Sequence, residues 1–386
     1  MEVDMISNEI PLDLETLRRR AKELQRQAKQ GGPEALQFIA SHASGLAPEK
    51  LAISQLALAR SLGFANWARL KRETERLAAL RLFDSAESGD RKEIARILAI
   101  HPGLAKAVSP DGATLLHSAV VSNDPEIARI LIAAGTPRNL LLGQSSHTAL
   151  SWAVTVGSFQ FAEALIDAGD DADLFCAAGL GLLDLVRQFW VEGTLVSHPS
   201  KTGSSRFDES GNRLPRPPES DLDQVSDALY LAARGGHREV SEWLIEHGAD
   251  PNFRGYEGAT SLHWAEFSGN EELAEYLRAH GASDELLDHT FRSSPRAFSV
   301  ITPAAYGMPV RLIKALDRFP DRVNARGGWG TPLNAAAWNG QKETAQILVE
   351  RGADLTARNA AGLTPPEVAE SRKFDDLAEW LRSLTN

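Results

Sequence analysis

Three segments of the chain are versions of one another: GATLLHSAVVSND (112–124), GATSLHWAEFSGN (258–270) and GTPLNAAAWNG (330–340). Fainter copies are HTALSWAVTVGS (147–158), SDALYLAARGGH (226–237) and GLTPPEVAESRK (362–373). A second apolar stretch follows each copy, as in EVSEWLIEHGAD or ETAQILVERGAD. Such self-similarity restricts the fold more than any other feature. A short helix pair cannot bury its apolar face alone, so copies must stack on one another to share a continuous core. The residue ending each first helix is usually Gly and falls at 89, 123, 157, 181, 236, 269, 308, 340 and 373; Asn123, Met308 and Lys373 depart from Gly.

The repeated residue types have physical causes. Thr260 can cap its first helix by accepting a backbone N–H, and Pro332 suits a first helical turn, where its missing N–H costs nothing. Leu262 and Leu333 point into the core, and Ala265, Ala336 and Ala337 let paired helices approach. Gly157, Gly269 and Gly340 can take the left-handed conformation that stops a helix. Second helices carry apolar residues at helical spacing, as in Ile94, Ile97, Leu98 and Ile347, Leu348.

These residues resemble the ankyrin repeat, whose T-P-L-H-x-A pattern is followed by a second helix and a Gly-Ala turn. The resemblance covers the chain from about residue 82 to its end. The mean spacing of the helix-ending positions is about 35 residues, near the ~33 of that family. It implies an all-α ankyrin-repeat solenoid of about nine helix pairs joined by short finger loops. Such arrays bind through fingertips and exposed first-helix positions. Here those positions hold Trp152, Trp264, Phe267, Tyr306 and Trp338, and neighbouring fingers add Tyr256 and Trp329. Charges scatter around them: Arg254 and Arg326 above all, with Asp84, Glu87, Arg234, Glu257 and Arg358. Aromatic residues are 7% of the chain, so about seven on one expected surface point to an aromatic-rich concave groove. The competing account is that each ring merely fills a gap between repeats.

Residues 1–11 are expected to be a flexible N-terminus and 12–81 a four-helix N-terminal cap. The first stripe, Leu14, Leu17, Ala21, Leu24 and Ala28, stops at Gly31-Gly32-Pro33; further helices run over about 34–43, 48–62 and 65–81. The stretch SQLALARSLGFANWARLKRETE (54–75) resembles a leader found in bacterial ankyrin-repeat proteins. It reads as a shield for the first repeat or as a separate activity. At the other end, 366–386 fit a polar C-terminal cap. Two segments break the period. The stretch at about 194–225, rich in Ser, Gly, Pro and charge, reads as an inserted loop with a short hairpin in RFDESGNRL. It either overhangs the groove or is a tolerated insertion. The link DELLDHTFRSSPRAF (284–298) is about six residues longer than its counterparts.

Composition narrows the function. Lys and Arg total 41 against 52 Asp and Glu, a net charge of −11. Residues 1–81 carry a small basic excess, so the rest is more acidic still and repels a nucleic-acid backbone. The basic cluster Arg18, Arg19, Arg20, Lys22 and Arg26 lies along one expected helix and reads as a solvated face. One cysteine, Cys176, excludes an internal disulfide or a cysteine-based zinc site. No apolar run approaches the ~18 residues of a membrane span, and the N-terminus lacks a signal-peptide pattern; a cytoplasmic protein is expected. No motif for a phosphate, metal or cofactor appears, so the expectation is no cofactor and no metal. His117 and His263 sit at the motif position that hydrogen-bonds a neighbouring finger; His147, His198 and His289 fall outside it and are candidates for function.

Glu266 stands apart, because neighbouring repeats carry Ala at its position. Between Trp264 and Phe267 it is either a general acid or base or a rim carboxylate paired with Arg. Two functions follow. The first is a protein–protein interaction module using the groove. The alternative is a small-molecule enzyme of lyase, isomerase or cyclase type, with metal-free acid–base chemistry at Glu266, an apolar ligand, and the 194–225 insertion over the site.

Overall fold

In the computed structural model the described residues are 14–142, 147–196, 220–255 and 258–384. They are mostly helical, with almost no strand, and divide into two compact units, 1–145 and 146–386.

In the first unit α1 (Leu14–Lys29), α2 (Pro33–His42) and α3 (Leu51–Ser61) precede α4 (Trp67–Ser88). The expected α1 stripe, Leu14, Leu17, Ala21, Leu24 and Ala28, is buried. Here the structure departs from the sequence expectation at 81/82, because α4 runs unbroken through that boundary. No Gly or Pro lies between Trp67 and Ser88 to stop it, Asn66 caps its start, and Gly89, at φ 84°, ends it. The last N-terminal helix is therefore also the first helix of the first repeat. It pairs with α5 (Arg91–Ile100), and α6 (Leu115–Ala119) then pairs with α7 (Pro125–Ala133).

The second unit continues with α8 (Ala149–Val156) and α9 (Phe159–Asp167), then α10 (Leu174–Gly179) and α11 (Leu183–Gln188). Asp173 caps α10 by accepting the Cys176 N–H, so this repeat starts four residues after Gly169 with no finger in between. A hairpin follows, β1 (Trp190–Val191) against β2 (Thr194–Leu195). Its two-residue turn is Glu192-Gly193, both at positive φ, as such a turn demands. The inserted loop is thus shorter than 194–225 at both ends. Thr194 and Leu195 are paired, and α12 (Asp221–Gly235) starts where the Ser220 hydroxyl accepts the Asp223 N–H. The intervening 197–219, with His198 and RFDESGNRL, lie outside the described residues.

Helix pairs then follow without interruption: α12 with α13 (Arg238–Glu246), α14 (Ser261–Ser268) with α15 (Glu271–Ala279), α16 (Pro295–Ala305) with α17 (Pro309–Arg318), α18 (Pro332–Trp338) with α19 (Lys342–Glu350), and α20 (Pro365–Ser371) with α21 (Asp375–Ser383). Within this unit the pairs stack as a solenoid requires. Small and branched residues of the first helices, such as Ala228, Ala232, Leu262, Ala265, Leu333 and Ala336, are fully buried between layers. Asparagines stitch successive repeats. Asn252 donates to the Gly281 carbonyl (2.9 Å) and accepts from Ser283 N–H (2.9 Å). Asn324 does the same with Gly352 (3.3 Å) and Asp354 (2.8 Å).

The left-handed residue closing a first helix sits where the pattern expects it in eight of the nine repeats, including the non-glycines Asn123 and Lys373. The exception is the seventh, where Gly307 (φ 63°) takes the role assigned to Met308. Met308 is instead the residue before Pro309 that starts α17. The long link before α16 is also more ordered than a loop. Buried Asp288 accepts from the Phe291 N–H (2.6 Å) and the Ser293 N–H (2.8 Å), and α16 begins already at Pro295.

Candidate functional site

A concavity lies between first helices and fingers of the seventh to ninth repeats. A pocket of about 330 Å³ is lined by Phe291, Ile301, Tyr306, Trp329, Trp338 and the polar residues Thr290, Thr331, Asn334, Asn339 and Asn359, among others. Its position follows from the repeat. α16 brings Ile301, and Tyr306 follows at its end; α18 supplies Asn334 and Trp338; the fingers before α16, α18 and α20 supply Phe291, Trp329 and Asn359. A tight turn, Gly327 paired to Gly330, presents Trp329. Gly328 must be small there, since a side chain would strike Arg292.

Burial of large rings is normally favourable, yet three here stay accessible: Tyr306 is 50% exposed, Trp329 53% and Trp338 39%. Trp329 and Trp338 lie 6.1 Å apart at 49°, and Phe291 meets Tyr306 edge-on at 5.9 Å. The Arg372 guanidinium stacks over the Trp338 ring at 4.4 Å.

The other aromatic candidates do not join this pocket. Trp264 and Phe267 belong to a second, more enclosed cluster with Tyr230 and Phe298. Trp264 lies 5.4 Å from Phe267, 5.4 Å from Phe298 and 6.2 Å from Tyr230, each edge-on. Arg234 covers Trp264 at 4.3 Å and Arg311 covers Phe267 at 4.4 Å. The Trp264 indole N–H is buried with no hydrogen-bond partner among the described residues. These two rings are half-buried spacers between repeats, with guanidinium groups over the faces that a ligand would use. Trp152 is half-buried beside His147, 5.8 Å away. Tyr256 and Glu257 lie outside the described residues. Arg254 reaches the next finger, where its guanidinium lies 3.1 Å from His289 Nε2. Arg326 likewise donates to the Arg358 carbonyl at 2.7 Å, so each arginine ties neighbouring fingers together.

Glu266 is occupied on both oxygens. Its side chain is 7% exposed; Oε1 accepts from Arg278 and Oε2 from Arg322 at 2.7 Å. Arg278 also holds Asp284 at 2.9 Å. That second carboxylate, then Glu266, raises the Arg278 pKa, and the same bond lowers Asp284 below the usual carboxylate range. This is the paired-carboxylate arrangement rather than an open acid or base. Ser268, Arg311 and Arg318 line a separate 690 Å³ recess that Glu266 borders. Of the rings expected around Glu266, that recess brings Phe267 to it and not Trp152, Trp264 or Tyr306.

Among the singled-out histidines, His147 is buried within 3.3 Å of Ser151 Oγ, and His289 packs over Gly258. Sequence reasoning missed Phe291 and Asn359 as pocket walls. Phe291 sits in the irregular link, outside the repeat register. Asn359 could have been found, since its finger is in register with that of Trp329.

Comparisons with known proteins agree with this architecture. A family model of ankyrin repeats in three copies matches residues 82–176 and again 174–288, together more than half of the chain. A single ankyrin repeat matches 330–360, the stretch that begins just after Trp329 and holds Trp338. The chain is similar to palmitoyltransferase ZDHHC13 of Mus musculus, 30% identical over 254 residues, which are 63% of this chain and 37% of that protein. It is similar to the ankyrin repeat domain-containing protein SAT10 of Stachybotrys chartarum, 27% identical over 273 residues, 64% of this chain and 14% of that one. The E3 ubiquitin-protein ligase XBAT32 of Arabidopsis thaliana is 33% identical over 151 residues, 33% of this chain and 30% of that one. The chain spans well under half the length of each of these relatives.

Proposed function

We propose, for a chain that belongs to the ankyrin-repeat family, that its task is to bind another protein through the inner face of its last repeats. The observation carrying this is the set of three half-exposed rings, Tyr306, Trp329 and Trp338, around one pocket. Large accessible rings with little rotamer freedom are the usual centres of binding energy. Trp264, Phe267, Arg254 and Arg326 would support this surface by fixing the spacing of helices and fingers. Trp152 and Tyr256 would extend it toward earlier repeats.

The alternative of a small-molecule enzyme finds less support. Both Glu266 oxygens are engaged by guanidinium groups, and fold-level likeness supplies no reaction. Two relatives carry enzyme names, but this chain matches only minor parts of them, so those names give it no reaction. No helix among the described residues is long and apolar enough to cross a membrane. The cytoplasmic setting and the bacterial-type leader at 54–75 belong to the same proposal. The leader rests on its sequence resemblance alone, since the relatives named above are eukaryotic.

Site-specific photocrosslinking in the native cell tests the reading. A photoreactive phenylalanine at Tyr306 should give one dominant protein adduct, reproducible with the purified partner and lost in Trp338→Ala. The same group at Glu239 on α13 should not. Equal adducts from both positions would refute the interaction surface.

A further inference from the structure

The walls of the 330 Å³ pocket carry more than rings. Asn359 Oδ1 accepts the N–H groups of Ala361 (2.9 Å) and Leu363 (3.0 Å), which orients its Nδ2 as a donor without a partner among the described residues. Asn339 Nδ2 donates to the Ala305 carbonyl (3.0 Å), leaving its Oδ1 as an acceptor without one. Both amides line the pocket. One spare donor and one spare acceptor beside an apolar hollow match the C=O and N–H of an extended peptide, whose side chain would enter the hollow.

The rim adds charge. Arg326 and Arg358 stand on the two fingers flanking α18, both exposed, and Arg372 lies over Trp338. Two carboxylates stand near them: Glu367, 3.7 Å from Arg358, and Asp354, close enough to Arg326 to feel its charge. Three guanidinium groups against two carboxylates leave the rim net basic on a chain whose net charge is −11. A local reversal of that kind selects partners of the opposite sign and repels the commoner wrong ones.

We infer that the pocket takes an extended segment of a partner protein that seats one apolar side chain among Tyr306, Trp329 and Trp338 and carries aspartate or glutamate beside it, facing Arg326, Arg358 and Arg372. This rests on the interaction reading above and gives the partner a chemistry. Acidic residues supply orientation and encounter rate, while the seated side chain supplies most of the affinity.

A displayed library of random peptides, selected on the purified full chain, is the test. Enriched peptides should share one apolar residue with acidic neighbours. A synthetic copy of the most enriched peptide should bind in fluorescence anisotropy and weaken at least about tenfold in Trp338→Ala and in Trp329→Ala, with both variants folded by circular dichroism. Raising salt should weaken it further. The double variant Arg326→Glu, Arg358→Glu should instead prefer a lysine-flanked version. Peptides with neutral or basic flanks that still need Trp338 would overturn this inference and leave the interaction surface standing. No enrichment, or peptides indifferent to both tryptophan variants, would overturn both.

Discussion

His263, Asn334 and Glu367 occupy one repeat position and accept the same helix-cap N–H with different chemistry. The Thr260 N–H donates to His263 Nδ1 at 3.1 Å, so the ring proton must sit on Nε2, which donates to the Ser293 carbonyl at 3.1 Å. Asn334 reproduces both bonds: Oδ1 accepts from the Thr331 N–H (3.0 Å) and Nδ2 donates to the Ala357 carbonyl (3.3 Å). Glu367 accepts from the Thr364 N–H at 2.7 Å but has no donor to offer to a neighbouring finger. The motif was therefore legible as geometry, a helix cap plus a bridge to the next finger. The chemistry had to be read repeat by repeat. One prediction follows from the difference. Burial holds the His263 pKa at about 4, against 6.5 for an exposed imidazole. Above about pH 6.5 both folded and unfolded states are neutral and its contribution is complete. As pH falls toward 4 the unfolded chain takes up a proton that the folded one refuses, so stability is lost by about 3 kcal/mol. His263→Asn should keep the neutral-pH stability and remove that part of the acid sensitivity. Urea midpoints of the two proteins at pH 7.5 and 4.5 decide it, and parallel losses would reject the assignment. Glu266 was legible as a carboxylate paired with Arg, one of its two sequence readings, but which arginines hold it was not, because they lie 12 and 56 residues away. Glu266→Gln should cost about 3 kcal/mol in chemical denaturation, since Arg322, 10% exposed, is left without its carboxylate. An unchanged midpoint would mean that the bridge contributes nothing.

Helix existence was written plainly in the chain, and helix boundaries were not. The expected break at 81/82 came from aligning the repeat, which marks where similarity starts and says nothing about where hydrogen bonding stops. Only Gly, Pro or a cap ends a helix, and the α4 sequence holds none before Gly89. A proline at Arg81 therefore falls in mid-helix. Arg81→Pro should destabilise the first unit by about 3 kcal/mol or more. Arg81→Ala, which removes only the exposed ion pair with Glu93, should lose under about 1 kcal/mol. Thermal unfolding of the pair separates them; equal effects would show two independent helices. The same limit explains Gly307. Where the link before α16 lengthens, the repeat register slips by one residue. A pattern tuned to one spacing then assigns the helix stop to Met308.

Across the whole molecule, what the sequence announced was the repeated layer, and what it could not announce was how the rings divide. The sequence reading put Trp264 and Trp338 on one groove, from different positions of their first helices. Their neighbours differ: Phe298 and Arg234 enclose the first, while the second keeps one side accessible. Because each layer contacts its neighbours, the last pair should be indispensable to the one before it. Val368, Ala369, Leu377 and Leu381 of α20 and α21 share a buried cluster with Leu333, Ala337 and Leu348. Deleting 362–386 should strip amide protection from α18 and α19 while leaving α12–α15 protected, as read by hydrogen exchange. Uniform loss of protection would instead indicate a single cooperative block.

The aromatic hollow borrows its walls from three successive layers, with Phe291, Trp329 and Asn359 each on a different finger. Its aperture is consequently a function of stack pitch: flexing or stretching those layers pries the jaws apart, and filling them works as a clasp. An occupied chain should be mechanically stiffer across residues 290–360 than an empty one, so that whatever seats there also sets the curvature of the spring that grips it.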